Sequence, residues 1–488
     1  MLNILKNTNT VYFCAGARNQ SLLPYFENKN IQFENDERSA AFKALGVTKF
    51  HQGKKSVIIC TTSGTAVSEC LPALLEAHYS ALPLILITGD RPKKLQLTGS
   101  PQTTKHELIT QAAIRDFREV ELHELQNLNL LNCQYPLHIN VLIDDTTSHE
   151  EKIQSCDPKS YEEFEYFLKN HGPTLFLLSH NGEDLRNFAE KLRQYPIHLY
   201  AETLSWAKSF STIQNEDELL HLFEKQFFKS VIRLGQTPLS KIWRLLEKNQ
   251  LPVFHIDDRN LSALSYGKIW PKKMSDCLID EKFWSILSRT INHSQIPNIE
   301  VNSHHKSLDE EQLIHQYLQE IIPIGSHIYL GNSLVIRNFE YVQKDFYRTY
   351  GNRGLNGIDG QLSTAIGIAT ELENRILEEN NRTLYCLLGD MTCLYDLSSF
   401  REISKNLKLI IFNNQGGRIF EKLNLDKRLV LEHQFSFQKI SEAFNLNYCQ
   451  IPKDFFETSL SLNKEQLKNI LSENHIIEIT ISSKNING

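Results

Sequence analysis

The stretch that decides the fold is LLGDMTCLYDLSSF, residues 387–400. It continues an apolar run, residues 383–388, that is typical of a buried strand, and the run stops at Gly389 with a carboxylate, Asp390, directly after it. A lone Gly-Asp pair is most often a solvated turn. A functional role for Asp390 is favoured only if neighbouring strands also end in polar groups that could bind the same ligand.

The composition is that of a large globular protein with several domains. Domains usually hold about 100–200 residues, so a chain of 488 residues predicts two to four of them. Hydrophobic residues make up 41% of the chain, and no apolar run approaches the roughly 18 residues of a membrane helix. The net charge of -6 leaves no basic surface for nucleic acid. We expect no nucleic acid and no membrane as partners, but small molecules and protein subunits.

The cysteines indicate a reducing compartment. There are nine, an odd number, and they are scattered without any Cys-x-x-Cys pair. The first residues, 1–6, are too few and too polar to hold the apolar segment of a signal peptide. We therefore expect a cytoplasmic protein without a disulfide or zinc framework.

Strands and helices alternate along the chain. Short apolar runs, such as residues 11–14 and 57–60, are each followed by a helical segment, which is the pattern of a parallel sheet covered on both faces. Two polar stretches, near residues 146–163 and 294–307, divide this pattern into three parts. The sequence therefore predicts an α/β fold of three consecutive doubly wound parallel-sheet domains, at residues 1–148, 165–293 and 305–488.

A second polar group follows the next strand. Residues 407–412 form another apolar run, and NNQGGRIF follows at 413–420. Because parallel strands end at the same edge of a sheet, we expect Asp390 and Asn414 to lie together, with the Gly416 carbonyl beside them. Such oxygen ligands suit Mg²⁺, which keeps positions open for phosphate oxygens. The pattern predicts a metal-bridged diphosphate; the alternative is a pair of unrelated capping residues.

These residues carry a resemblance to thiamine diphosphate enzymes, whose magnesium and diphosphate signature is a Gly-Asp pair followed by Asn-Asn. The usual third glycine is replaced here by Met391. Further motifs are together similar to one family, the 2-succinyl-5-enolpyruvyl-6-hydroxy-3-cyclohexene-1-carboxylate (SEPHCHC) synthases of menaquinone biosynthesis. Those motifs are GDMTCLYDLSSF (389–400), NNQGGRIF (413–420), GNSLVIR (331–337), GNRGLNGIDGQLSTAIG (351–367), TSGTAVSECLPALLEA (62–77) and ITGDRP (87–92), with RLGQTPLSK (233–241) and VFHIDD (253–258) as weaker anchors between them.

The resemblance implies the fold and the reaction. The three domains would be, in order, a pyrimidine-binding domain, a central α/β domain and a pyrophosphate-binding domain. The enzyme would be a transferase that decarboxylates 2-oxoglutarate and adds the resulting succinic semialdehyde carbanion equivalent to isochorismate. Its cofactors would be thiamine diphosphate and Mg²⁺ or Mn²⁺.

The resemblance also implies roles for single residues around the cofactor. Glu37, in NDERSAAFKALG (35–46), matches the catalytic glutamate that binds the cofactor's pyrimidine ring, although a first-turn glutamate also occurs simply because it favours the helix dipole. The metal ligands would be Asp390, Asn414 and Gly416. The other cofactor-binding residues would be Asn332, Ser333, Ile358, Gly389, Met391, Thr392, Ile419 and Phe420.

Both implied substrates are dianions, so the site should contain cations. Arginine binds carboxylates through two parallel hydrogen bonds. Arg337 and Arg353, with Ser333, match the positions that bind the 2-oxoglutarate part, and the positions that face isochorismate match Arg18, Arg91, Gln102 and Lys241. The chain departs from the family pattern at Ala17, which lacks a hydroxyl donor, and at Ile242, which removes a cation.

In the superfamily that the chain resembles, the cofactor lies between the pyrimidine domain of one subunit and the pyrophosphate domain of another. The resemblance therefore implies a homodimer or homotetramer in which Glu37 and Asp390 meet only across subunits.

Three other interpretations stay open at this point. The chain could be another thiamine diphosphate carboligase or decarboxylase that acts on a different 2-oxo acid. It could be a non-catalytic homologue, although Glu37, Asp390 and Asn414 are all present. A generic nucleotide-binding α/β protein is disfavoured because no Gly-x-Gly-x-x-Gly or Gly-Lys-Ser/Thr loop follows a first strand.

Overall fold

The computed structural model contains three parallel sheets along one chain. None of the helices it describes is long and apolar enough to cross a membrane. The residues that it describes are 2–3, 8–16, 18–91, 93, 104–130, 134–143, 161–179, 182–236, 238–239, 242–257, 267–291, 308–374, 382–419, 430–456 and 460–481.

The first sheet has six strands. Its strands are β2 (Thr10–Cys14), β3 (Asn30–Glu34), β4 (Val57–Thr62), β5 (Leu84–Asp90), β6 (Asp116–Glu121) and β8 (Leu137–Leu142), while β1 (Leu2–Asn3) and β7 (Asn129–Leu130) form a separate antiparallel pair. The strand order is β3-β2-β4-β5-β8-β6, and all neighbours are parallel. The helices of this unit are α1 (Glu37–Phe50), α2 (Thr65–Glu69), α3 (Leu71–Tyr79) and α4 (His106–Thr110).

The second sheet has five strands. They are β9 (Thr174–Leu178), β10 (His198–Ala201), β11 (Ser230–Leu234), β12 (Val253–Ile256) and β13 (Lys268–Trp270), in the parallel order β10-β9-β11-β12-β13. Its helices are α5 (Tyr161–Asn170), α6 (Gly182–Leu192), α7 (Glu216–Glu224), α8 (Ile242–Asn249), α9 (Met274–Ile279) and α10 (Glu281–Thr290).

The third sheet again has six parallel strands. They are β14 (His327–Leu330), β15 (Arg348–Tyr350), β16 (Leu384–Gly389), β17 (Leu407–Asn413), β18 (Tyr448–Ile451) and β19 (Ile476–Thr480), in the order β15-β14-β16-β17-β19-β18. Its helices are α11 (Glu310–Ile321), α12 (Leu334–Val342), α13 (Gln361–Glu373), α14 (Asp390–Tyr395), α15 (Phe437–Ala443) and α16 (Leu460–Glu473).

The predicted fold class, three consecutive parallel α/β units, is confirmed. Two local details differ from the sequence pattern. The segment near 66–79 forms two helices, α2 and α3, because Pro72 in the first turn of α3 cannot donate a hydrogen bond to a continuous helix. Residues 161–163, predicted as part of a linker, belong to α5, whose Phe164 is buried in the core of the second unit. The domain start at 165 stays a prediction. The boundaries at 148, 293 and 305 lie outside the described residues and stay predictions.

Each sheet has a point beside its first strand where the chain changes the direction in which it adds strands. These points lie between β2 and β4, between β9 and β11, and between β14 and β16. In an open parallel sheet a crevice forms there, beyond the carboxyl ends of the two strands, and ligands bind in that crevice. The first and third of these crevices contain the residues that the sequence singled out.

The first and third units meet where α1 crosses α13. A Cβ atom added to Gly46 of α1 would lie 2.1 Å from the Thr364 carbonyl oxygen, and one added to Gly367 of α13 would lie 2.1 Å from the Lys43 carbonyl oxygen. The two backbones are therefore in direct contact, and any larger residue at either glycine would separate them.

Buried polar groups accompany this helix contact. The Ser39 hydroxyl lies 3.1 Å from the hydroxyls of both Ser363 and Ser399. Lys43, buried in α1, forms ion pairs with Glu34 of its own unit and Glu402 of the third unit. Because such groups are costly when buried without partners, they fix one relative position of the two units.

We expect Gly46→Ala to lower the urea midpoint of unfolding. The added methyl group must push the two helices apart, and overpacking of this kind costs about 1–3 kcal/mol. Gly172→Ala is the matched control, since a Cβ there meets no atom within 4 Å. Equal midpoints for the two variants would contradict the contact.

Candidate functional site

The crevice of the third sheet opens between the ends of β14 and β16. Gly331 donates its amide to the Leu387 carbonyl at 2.8 Å, and a Cβ at this glycine would lie 2.9 Å from Leu388 Cδ2. Ser333 then adopts φ 72° and ψ -127°, a conformation that residues with a side chain rarely adopt. The chain is strained at the very place where α12 begins, which is typical of a functional site.

Asp390 lies directly at the end of β16 and is buried, with 3% of its surface exposed. Its Oδ1 accepts the Met391 amide at 2.7 Å. Its Oδ2 accepts the Gly416 amide at 3.0 Å and lies 3.0 Å from His433 Nε2. The carboxylate that the sequence singled out is thus held between two strand ends.

Asn414 follows the neighbouring strand, β17, as predicted. Its side-chain oxygen Oδ1 is buried and has no hydrogen-bond partner among the described residues. The Gly416 carbonyl accepts the Arg418 amide at 3.0 Å, which leaves one lone pair on that oxygen. A Cβ at Gly389 would meet no atom within 4 Å, so there is open space at the end of β16. An unpaired oxygen, a carboxylate and free space are what a hydrated cation with an anionic ligand requires.

Asn332 organises the opposite side of this crevice. Its amide group donates to the carbonyls of Asn352 at 2.9 Å and Gly357 at 2.8 Å, and its Oδ1 accepts from Arg353 Nη1 at 3.0 Å. Arg337, one turn into α12, donates to the Ser333 carbonyl. One guanidinium group from α12 and one from the loop before α13 therefore lie close to each other.

The charge of Arg353 is costly in this position. Burial and, second, the nearby charge of Arg337 lower the pKa of Arg353 to about 10, although the carboxylates of Glu202 and Glu76 oppose the shift. An anion bound next to Arg353 and Arg337 would favour the charged form of Arg353.

Glu37 is the first residue of α1 and is half-buried. The preceding residue, Asp36, caps the helix by accepting the Ser39 amide at 3.0 Å. Among the described residues, no hydrogen bond or ion pair is found for the Glu37 carboxylate. Within one chain the structure therefore does not bring this carboxylate into contact with Asp390 or Asn414.

A second pair of cations lies at the crevice of the first sheet. Arg18 follows β2 and donates to the Ser63 hydroxyl after β4. Burial lowers the pKa of Arg18, as does the charge of Arg91, whereas Asp90 opposes the shift. The structure thus brings Arg18 and Arg91 into electrostatic contact, as expected for two residues that face one anionic ligand.

A buried polar cluster supports this crevice. His106 Nε2 accepts the Gly64 amide at 3.0 Å, so its Nδ1 carries the proton and points at Asn140 Oδ1 (3.0 Å) and Asp90 Oδ2 (3.2 Å). Burial alone would raise the pKa of Asp90, but hydrogen bonds from His106 and Asn140 outweigh it and the pKa is lowered. The cluster fixes Gly64, whose φ of 86° requires glycine.

For the remaining predicted site residues we can give a location and, for some, an exposure. Gln102, Lys241 and Phe420 lie outside the described residues. Met391 and Thr392 lie in the first turn of α14, directly after Asp390. Ile419 follows the Gly416 turn and is half-buried, and Ile358 is 39% exposed in the loop before α13.

Three side chains contact predicted site residues or their loops, but the sequence motifs do not single them out. His433 contacts Asp390, His106 contacts Gly64, and Glu76 contacts the loop that contains Arg353. The only signal for Glu76 was a charged residue within the apolar helix LPALLEAHY. The two histidines have no local signal, because their partners are 43 and 42 residues away.

Comparison with known proteins decides the family. The model of the thiamine pyrophosphate enzyme N-terminal TPP binding domain matches residues 1–114. A SEPHCHC synthase from Bdellovibrio bacteriovorus is 32% identical over 92% of this chain and 90% of its own length. The chain belongs to the SEPHCHC synthase family. Other similar members come from Akkermansia muciniphila (28% identical, 94% of this chain and 92% of the relative) and Leuconostoc citreum (27%, 82% and 79%).

Solved structures agree on the fold of this SEPHCHC synthase family member. A thiamine diphosphate-dependent 4-hydroxybenzoylformate decarboxylase from Rhodococcus jostii matches with a TM-score of 0.71, covering 98% of this chain and 97% of the other, at 13% identity. A benzoylformate decarboxylase from Polynucleobacter necessarius gives a TM-score of 0.69 with 98% and 96% coverage, at 14% identity. At such identities the likeness concerns the fold alone.

His138, in the same buried cluster, should make stability depend on pH. Its ring lies 2.9 Å from the hydroxyls of both Thr88 and Thr110, and burial, with His106 as a second cause, lowers its pKa to about 3. Unfolded histidine titrates near 6.5, so between these values only the unfolded state binds the proton. Stability should therefore fall as the pH drops, by up to about 1.4 kcal/mol per pH unit.

We expect His138→Asn to remove this one-proton slope between pH 6 and pH 4, measured as urea midpoints at several pH values. His123→Asn is the control, since His123 is exposed. An unchanged slope in His138→Asn would show that the ring is not held neutral.

Proposed function

We propose that the protein catalyses the SEPHCHC synthase reaction with thiamine diphosphate and Mg²⁺ or Mn²⁺. In this reaction 2-oxoglutarate loses CO₂, and its remaining four carbons are joined to isochorismate to give 2-succinyl-5-enolpyruvyl-6-hydroxy-3-cyclohexene-1-carboxylate. The observation that carries the proposal is the third sheet, where the Asp390 carboxylate follows β16 and, among the described residues, the buried Asn414 oxygen that follows β17 has no hydrogen-bond partner. Arg337 and Arg353 lie close to each other beyond the end of β14.

The residues at the third crevice fit the cofactor. When bound, thiamine diphosphate supplies the nucleophilic carbon and the electron sink that decarboxylation of a 2-oxo acid needs. Asp390, Asn414 and the Gly416 carbonyl would hold the cation that neutralises the diphosphate. The open space beside Gly389 leaves room for the diphosphate, and the remaining contacts would come from Asn332, Ser333, Ile358, Met391, Thr392, Ile419 and Phe420.

Glu37 would act from the pyrimidine side. Its half-buried carboxylate begins a helix and is free to hydrogen-bond a ring nitrogen of the cofactor, where it would hold a proton during turnover. Because no contact joins it to Asp390 or Asn414 in one chain, we propose that the second half of each site comes from another copy. The assembly would be a homodimer or homotetramer in the cytoplasm.

The two pairs of arginines suit the two anionic substrates. Arg337 and Arg353, with Ser333, would bind the carboxylates of 2-oxoglutarate, which relieves the repulsion that lowers the pKa of Arg353. Arg18 and Arg91, which repel each other in the same way, would face isochorismate together with Gln102 and Lys241. Orientation by paired charges places the two reacting carbons next to each other.

We expect Asn414→Leu to abolish metal-dependent binding of thiamine diphosphate without destabilising the protein. The variant removes a buried oxygen that has no hydrogen-bond partner within the described part of the chain. Such an oxygen costs about 1–3 kcal/mol, so the urea midpoint should stay equal or rise. Binding is measured by quenching of tryptophan fluorescence with thiamine diphosphate, with and without Mg²⁺. Asn249→Leu, at the exposed end of α8, is the control.

A loss of stability together with retained cofactor binding would contradict this assignment of Asn414. Asp390→Ala should show the same loss of binding, with the far-UV circular dichroism of the wild type.

We expect Arg353→Met to raise the KM for 2-oxoglutarate at least tenfold, because one charge-assisted hydrogen bond is worth about 1.5–3 kcal/mol. The decarboxylation of 2-oxopentanoate, which has the same carbon chain without the distal carboxylate, should change little. Arg289→Ala, an exposed arginine that pairs with Glu165, is the control. A wild-type enzyme that prefers 2-oxopentanoate or pyruvate would identify a different thiamine diphosphate carboligase or decarboxylase.

A further inference from the structure

The loop that contains Arg353 is held from outside its own unit. Glu76 of α3, in the first unit, is buried, and its carboxylate accepts two consecutive amides of this loop. Oε1 accepts the Gly354 amide at 2.9 Å, and Oε2 accepts the Leu355 amide at 2.9 Å. One side chain therefore binds the backbone directly after Arg353 through both of its oxygens.

Lys49 completes this contact. Its ammonium lies 3.1 Å from Glu76 Oε1 and donates to the Gly351 carbonyl at 3.0 Å. The first-unit pair thus holds the loop on both sides of Arg353, at residue 351 and at residues 354–355. Burial lowers the pKa of Lys49, and Glu76 opposes that shift, so each of the two charges depends on the other.

The approach of Glu76 to the loop leaves no room for a side chain at residue 354. A Cβ at Gly354 would lie 2.6 Å from the Glu76 carbonyl oxygen, 2.9 Å from Glu76 Oε2 and 2.9 Å from Ser80 Oγ. Glu76 is also one of the two carboxylates that keep Arg353 charged against burial and against Arg337. The contact therefore acts on both the position and the charge of the guanidinium group.

We propose that Glu76, with Lys49, is a positioning residue that sets the affinity for the distal carboxylate of the 2-oxo acid by fixing Arg353. This inference rests on the proposed function and goes beyond it, since Glu76 binds the backbone of the loop and would act through Arg353. In Glu76→Gln one carboxylate oxygen becomes an NH₂ group, which cannot accept a loop amide, and Lys49 loses its counter-charge.

The test compares Glu76→Gln with the wild type on 2-oxoglutarate and on 2-oxopentanoate. We expect the KM for 2-oxoglutarate to rise about tenfold while kcat/KM for 2-oxopentanoate stays within about twofold, because only the former needs Arg353. Hydrogen exchange of the 351–355 amides, measured without cofactor, should become faster. Glu402→Gln is the matched control, because Glu402 also pairs with a lysine of α1 but does not contact the loop.

Glu76→Asp keeps the charge but shortens the side chain, so it should fold and give an intermediate KM even if Glu76→Gln does not. Equal losses on both oxo acids, or no change in the KM for 2-oxoglutarate, would overturn the inference. A wild-type enzyme that leaves 2-oxoglutarate unchanged would instead contradict the proposed function, and the inference would fall with it.

Discussion

The direct contact between α1 and α13 is the constraint on which the rest of the structure depends. Gly46 and Gly367 let the two backbones touch, and this fixes the first sheet against the third within one chain. Two parts of the candidate site are attached to these helices. Glu37 is the first residue of α1, and the loop that contains Arg353 leads into α13. The polar contacts of Ser39 and Lys49 lie at opposite ends of α1 and depend on the same crossing.

The third-sheet crevice concentrates features that reduce stability. Ser333 has a strained backbone, the Asn414 oxygen is buried without a partner among the described residues, and Arg353 is charged next to Arg337. None of these contributes to folding, and a bound cation and anions would relieve the last two. Stored strain of this kind is what one expects at a site whose ligands complete it.

The sequence predicted the fold and the strand-end residues because both are local signals. An apolar run followed by Gly-Asp marks the end of β16, and the same rule predicts that Asn414 follows the end of the neighbouring strand β17. Glu76 and His106 could not be found in this way, because their roles depend on partners 278 and 42 residues away. The break between α2 and α3 could have been predicted, since proline is tolerated in the first turn of a helix but not in the interior of a continuous one.

We propose that each site is assembled from Glu37 of one copy and Asp390 of another. The most direct test is to co-express Glu37→Gln and Asp390→Ala chains with different tags and to purify the mixed assembly. Each variant alone should be inactive, whereas a mixed dimer contains one intact site and should have about half of the wild-type activity. An inactive mixed dimer, or the absence of any mixed assembly, would contradict the account.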